Sequence, residues 1–110
     1  MAYDAELAER LRAVLGREPA LKEVKMFGAL CFTVAGHLAV GVTGEELLVR
    51  MGPDGRADAL SEPGVREFDM TGRPMRNWVV VGPHRIAADD ELAAWADRGV
   101  AFARSLPPKA

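Results

Sequence analysis

The chain has a single cysteine, Cys31, so no disulfide can form within it and nothing points to an oxidising compartment. No stretch approaches the roughly 20 consecutive apolar residues that span a bilayer. The opening Met1-Ala-Tyr-Asp-Ala-Glu6 carries acids where a secretory signal would have an apolar core. The cytoplasm is therefore the expected location, with no membrane partner. An excess of charge of one sign is also missing: 14 basic and 16 acidic residues leave a formal net charge of −2. Such a balance gives no general attraction to a phosphate backbone, which makes nucleic acid unlikely as a strong direct ligand. Aromatic residues are few, and Phe27, Phe32 and Trp78 read mainly as core rather than as a stacking platform for single strands. Trp78 is the least enclosed of these on sequence grounds, because Arg76-Asn77 precede it.

What is present suits one folded domain over residues 1–110, since hydrophobic residues at 49% and charged residues at 27% are ordinary for a globular chain. Tyr3, Leu7, Leu11 and Leu15 recur every four residues and predict an amphipathic helix, with Asp4 as N-cap and Gly16 as a left-handed stop. From Lys22 to Met51 the period shortens. Strands are predicted near Glu23–Phe27, Leu30–Val34, Leu38–Val42 and Leu47–Met51, turning at Ala35-Gly36 and Thr43-Gly44-Glu45. Leu30, Phe32, Val34, Leu38, Val40, Val42, Leu47, Val49 and Met51 are the expected core. A short helix over 56–60, an edge strand over Val65–Met70, a turn at Thr71-Gly72-Arg73-Pro74 and a strand at Trp78–Val81 follow. The closing helix shows one stripe of Leu92, Trp95, Ala96, Gly99, Phe102, Ala103 and Leu106, ended by Pro107-Pro108. These elements predict an α+β domain of two layers: an antiparallel sheet covered on one face by N- and C-terminal helices.

Chemistry-bearing residues are thin on the ground. His37 and His84 stand far apart with a turn near each, and Cys31 is the only soft third ligand, so no metal site is expected. Cys31 lies between Leu30 and Phe32, a setting for a buried thiol rather than a reactive one. Ser61 and Ser105 border helix ends, and Thr33, Thr43 and Thr71 sit in strands or turns; no nucleophile elbow surrounds any of them. No glycine-rich phosphate cradle occurs between a strand and a helix. No catalytic residue, metal or cofactor is predicted.

Lys25-Met26-Phe27-Gly28, followed by a phenylalanine-bearing strand and Gly36, resembles the N-terminal domain of the TfoX/Sxy family of bacterial competence regulators. Gly72-Arg73-Pro74-Met75 with Trp78 close behind is similar to the family's second segment. Leu92-Ala-Ala-Trp95 through Arg104-Ser-Leu-Pro-Pro-Lys109 is similar to the closing helix of its stand-alone bacterial members. The resemblance implies a secretion-chaperone-like two-layer fold and no catalytic residues. It also implies a link to competence-gene transcription alongside the cyclic-AMP receptor protein, which the named regulators pursue with an additional C-terminal domain; this chain is expected to be a member without it. Ala29, Ala35 and Leu38 stand where the family often has glycine, asparagine and methionine. Since Asn-Gly favours a type I′ hairpin, Ala35-Gly36 is expected to turn differently.

The resulting expectation is a non-enzymatic regulatory or protein-interaction domain, with an unknown protein partner or a homodimer as the assembly. Arg73, Arg76 and Trp78 are the candidate interaction surface, Arg73 because a turn between glycine and proline would fix its guanidinium outward. Met26, Phe27, Gly28, Gly36, Gly72, Pro74 and Met75 are read as structural. Two alternatives remain: a nucleic-acid accessory factor using the stretch from Arg66 to Arg85, and a small-molecule binder or enzyme built around Cys31, His37 or His84.

Overall fold

The computed structural model describes residues 3–16, 18, 21–26, 28–70 and 73–107. The first helix, α1 (Ala5–Leu15), is opened by Asp4, whose carboxylate accepts from the Glu6 and Leu7 N–H groups at 2.8 and 3.4 Å. Those are donors that a helix start leaves free. Leu7, Ala8, Leu11 and Leu15 form its buried face. The left-handed stop expected at Gly16 is corrected: its φ is −60°, in the right-handed region, and the Glu18 N–H donates to the Leu15 carbonyl at 2.9 Å.

Six strands follow: β1 (Leu21–Met26), β2 (Ala29–Val34), β3 (His37–Thr43), β4 (Glu46–Arg50), β5 (Val65–Met70) and β6 (Arg73–Val81). They form one antiparallel sheet in the order β1-β2-β3-β4-β6-β5. Helix α2 (Pro53–Leu60) links β4 to β5, and α3 (Asp89–Ser105) closes the described fold after a short 3-10 turn at Pro83–Arg85. Asp89, Asp90 and Glu91 start α3 and Arg104 lies in its last turn, each sign complementing the helix dipole. Strand β6 begins at Arg73 rather than at Trp78, which corrects the expected turn at Arg73-Pro74. Proline is tolerated there because that half of β6 pairs with β5 alone, β4 joining only from Trp78 onward.

The turn after β2 corrects a second expectation. Val34 pairs with His37, leaving Ala35 and Gly36 as a two-residue loop with φ of 52° and 85°. Positive φ at both positions is what a type I′ hairpin requires, so alanine adopts the geometry that asparagine would have favoured, at a cost of about 1–2 kcal/mol.

A register break between Phe32 and Thr33 explains the one core residue that sits on the other face. Phe32 pairs with Val40 but Thr33 pairs with Leu38, so Ala39 is an extra residue in β3 and Leu38 turns away from the main core. The bulge also shapes the helix above it. A Cβ on Gly99 of α3 would lie 2.3 Å from the Ala39 carbonyl oxygen, so only glycine fits this approach.

The main core lies between the sheet and the helices. Leu30, Phe32, Val34, Val40, Val42, Leu47, Val49, Val79 and Val81 meet Leu7, Leu11 and Leu15 of α1, Ala59 of α2, and Leu92, Trp95, Ala96, Val100 and Ala103 of α3. Phe102 and Leu106, read from the sequence as part of the α3 stripe, are half-buried at its margin. The expected α+β two-layer arrangement is thus the observed one.

Candidate interaction surface

The face of the sheet turned away from the helices carries a second, smaller cluster made only of strand residues: Ala29, Cys31, Leu48, Trp78 and Val80, with Leu38 and Phe68 against it. Trp78 is 8% exposed and meets Phe68 edge-on at 6.3 Å between ring centroids. That burial corrects its placement at an open contact surface, because the indole packs within its own sheet. Arg73 and Arg76 have their backbone in β6; their side chains, and those of Met26, Pro74 and Met75, lie outside what is described, as do Phe27 and Gly72 altogether. Gly28 and Gly36 both hold positive φ, 73° and 85°, at the hairpins before and after β2.

The edges of the sheet differ more than its faces. Strand β1 forms one edge, and its positions from Lys22 to Lys25 are exposed. Val24, at 39%, is the exposed large hydrophobic residue among the described ones. Beside it, Glu23 is held by Arg12 of α1, whose Nε and Nη2 each donate to a different carboxylate oxygen at 2.8 Å. The Arg12 guanidinium holds the Glu23 carboxyl below its usual range against the opposing effect of burial. Sequence reading missed this surface. Its signal was present in Lys-Glu-Val-Lys, a strand too polar to be central, but edge position is a property of strand order and not of the strand.

Arginine–carboxylate pairs take up much of the remaining polar surface. Arg66 pairs with Glu46, Arg56 with Glu67 at 2.9 Å, and Arg104 with Glu18. Arg10 reaches the Ile86 carbonyl at 2.8 Å and Asp89 at 3.1 Å, joining α1 to the start of α3. Glu62 receives both Arg85 at 2.8 Å and Arg98 at 3.2 Å, and both guanidiniums lie over Trp95, at 5.6 and 4.6 Å from its ring centre. This cluster, also unforeseen, ties the end of α2 to α3. Arg85 foremost, with Arg98 assisting and burial opposing, holds the Glu62 carboxyl below its usual range; Arg66 does the same for Glu46. Of the stretch from Arg66 to Arg85, the two described guanidiniums are therefore each partnered by a carboxylate, which lowers their pull on phosphate.

The residues singled out for chemistry are not brought together. Cys31 is 2% exposed, within the strand-only cluster, and burial pushes its thiol pKa up. His37 begins β3, where its Nε2 contacts the Pro107 carbonyl, and His84 is exposed in the 3-10 turn. Among the described residues no three His, Cys, Asp or Glu side chains group closely enough to hold a metal ion. Open grooves occur among the described residues. One of about 250 Å³ is lined by Asp4, Leu7, Arg10 and Ile86, and one of about 370 Å³ between α1 and α3 by Val14, Leu15, Val100 and Arg104. Among the described residues no helix is long and apolar enough to cross a membrane.

A six-stranded antiparallel sheet layered with helices on one side, an ionic shell and an open edge strand define an α+β domain of the two-layer kind. The family model of the TfoX N-terminal domain matches residues 13–103, and the chain belongs to that family. No curated protein matches it.

Proposed function

We propose that this is a non-enzymatic, cytoplasmic protein-interaction domain that serves regulation by docking a protein partner on its β1 edge. The observation that carries this reading is Val24, an exposed apolar side chain on a strand that, among the described residues, has no further strand on its outer side. Membership of the TfoX N-terminal domain family supports a regulatory role. The raised, buried thiol of Cys31 and the separation of His37 from His84 support binding over bond-making.

Crosslinked capture from source cells, followed by reconstitution with the purified partner, tests it. The expected result is a saturable complex that Val24→Lys weakens. A metabolite screen that instead yields a turned-over substrate, with no reconstituted protein complex, would overturn the reading.

A further inference from the structure

We infer that the β1 edge pairs with the β1 edge of a second copy of this chain, antiparallel and centred on Val24. The inference rests on the protein-interaction reading above and names its partner. A two-fold axis perpendicular to an antiparallel pair must place one residue opposite its own copy. Only a few centres are thus open to the strand Leu21-Lys-Glu-Val-Lys-Met26.

Charge chooses among them. Centring on Lys22, Glu23 or Lys25 sets a charge directly against its own copy, which destabilises a cross-strand pair. Centring on Val24 sets Val24 against Val24, Glu23 against Lys25 of the other copy, and Lys25 against Glu23 of the other copy. Lys22 then falls opposite Met26. Every charge facing a charge across the two-fold then faces the opposite sign.

The geometry of β1 favours this pairing. Its register against β2 is unbroken from Leu21↔Val34 to Met26↔Ala29, so its outer side follows a regular strand with no bulge to turn a partner away. Glu23 and Lys25 share the face toward α1, since Glu23 lies opposite Phe32 of the main core, while Val24 lies opposite Cys31 on the other face. Glu23 is already oriented by Arg12, so meeting the lysine of the second copy requires little new ordering. The helices of both copies then lie on the same side of one continuous sheet.

A contact of one six-residue strand is smaller than the roughly 1,200–2,000 Å² of stable interfaces, so a dissociation constant on the order of 100 µM is expected. The test is sedimentation equilibrium of the whole chain over a concentration series that brackets this value. Wild type is expected to dimerise. Lys25→Glu sets two glutamates against each other and Glu23→Lys two lysines, and each variant alone is expected to lose about tenfold or more in association. An equimolar mixture of the two variants restores both opposite-charge pairs and is expected to dimerise again.

A monomeric wild type at every concentration, a Lys25→Glu variant that dimerises like wild type, or folded variants whose mixture stays monomeric would each overturn the inference. Should Glu23→Lys fail to fold through loss of its Arg12 contact, Lys25→Glu together with Val24→Lys, both at exposed positions, decides the matter on their own. A monomeric wild type that still forms a reconstituted complex with a different captured protein sinks the self-pairing and leaves the interaction reading standing. Loss of both results sinks both.

Discussion

The two edges of the sheet are built differently. On the β5 edge, the register breaks between Glu67 and Asp69, Phe68 leaves the regular ladder to meet Trp78, and α2 packs alongside with Arg56 bonded to Glu67. Arg66 on the same strand reaches to Glu46 of β4. Arg66, Glu67 and Phe68 of β5 are thus engaged within their own molecule, and the bulge disrupts the line a partner strand would follow. The β1 edge has an even register, an exposed valine and alternating charges that complement themselves about it. A sheet with one edge closed by a bulge and ion pairs and the other left regular can add a strand on one side only, which yields a closed pair instead of a filament.

The largest effect is expected beneath β1. Phe32 is fully buried and lies opposite Glu23, so it is the apolar seat of the β1 side of the sheet. Phe32→Ala is expected to cost about 3–5 kcal/mol in urea unfolding; a cost under about 1 kcal/mol would mean that β1 does not rest on the core. Gly99→Ala comes next, because its Cβ would meet the Ala39 carbonyl at 2.3 Å, and backbone cannot yield as a flexible side chain can. An expected loss of about 2–3 kcal/mol, read in the same way, would confirm that the β3 bulge and α3 are fitted to one another.

A smaller change has the opposite sign. Ala35→Gly removes the strain of a left-handed alanine at the β2–β3 hairpin and is expected to stabilise by roughly 1 kcal/mol, raising the melting temperature. No gain, or a loss, would contradict the I′ geometry.

The smallest effect is ionic, and it touches both edges. Arg12 lowers the pKa of Glu23 on β1 and Arg66 lowers that of Glu46 on the strand joined to the β5 side. A carboxyl whose folded pKa is depressed contributes stability that is fully present above its unfolded value, roughly 4.3, and is lost as pH falls through the folded value. Glu46→Gln should therefore be less stable than wild type near neutrality, by no more than about 1 kcal/mol for so exposed a pair. The difference should begin to shrink as pH falls below about 4 and close only once the pH lies under the depressed folded value, read in thermal melts. A difference that persists unchanged in acid would assign the effect to packing.

Local signals carried much of the fold. The 3.6-residue stripe of α3 recurs through the whole helix, Asp4 announces the start of α1, and the glycines mark the hairpins, so each was legible where it stands. Leu38 was not, because the bulge at Ala39 is fixed by a register to β2 and by the fit of Gly99 on a distant helix. Apolar runs such as Leu30-Cys31-Phe32 and Val79-Val80-Val81 do signal a strand buried on both faces, yet they do not say which face the helices cover. The surface residues fared less well than the core. Trp78, placed at a contact by its polar neighbours, is enclosed by Phe68 and Leu48, whereas Val24, hidden in a run of charges, is open because β1 ends the strand order.

Residue-resolved amide hydrogen exchange, recorded well below and well above the association midpoint, tests the central assignment most directly. The account expects exchange in 21–26 to slow at high concentration while β5 stays unchanged. Protection appearing instead on β5 or α3, or none anywhere while the protein associates, would contradict it.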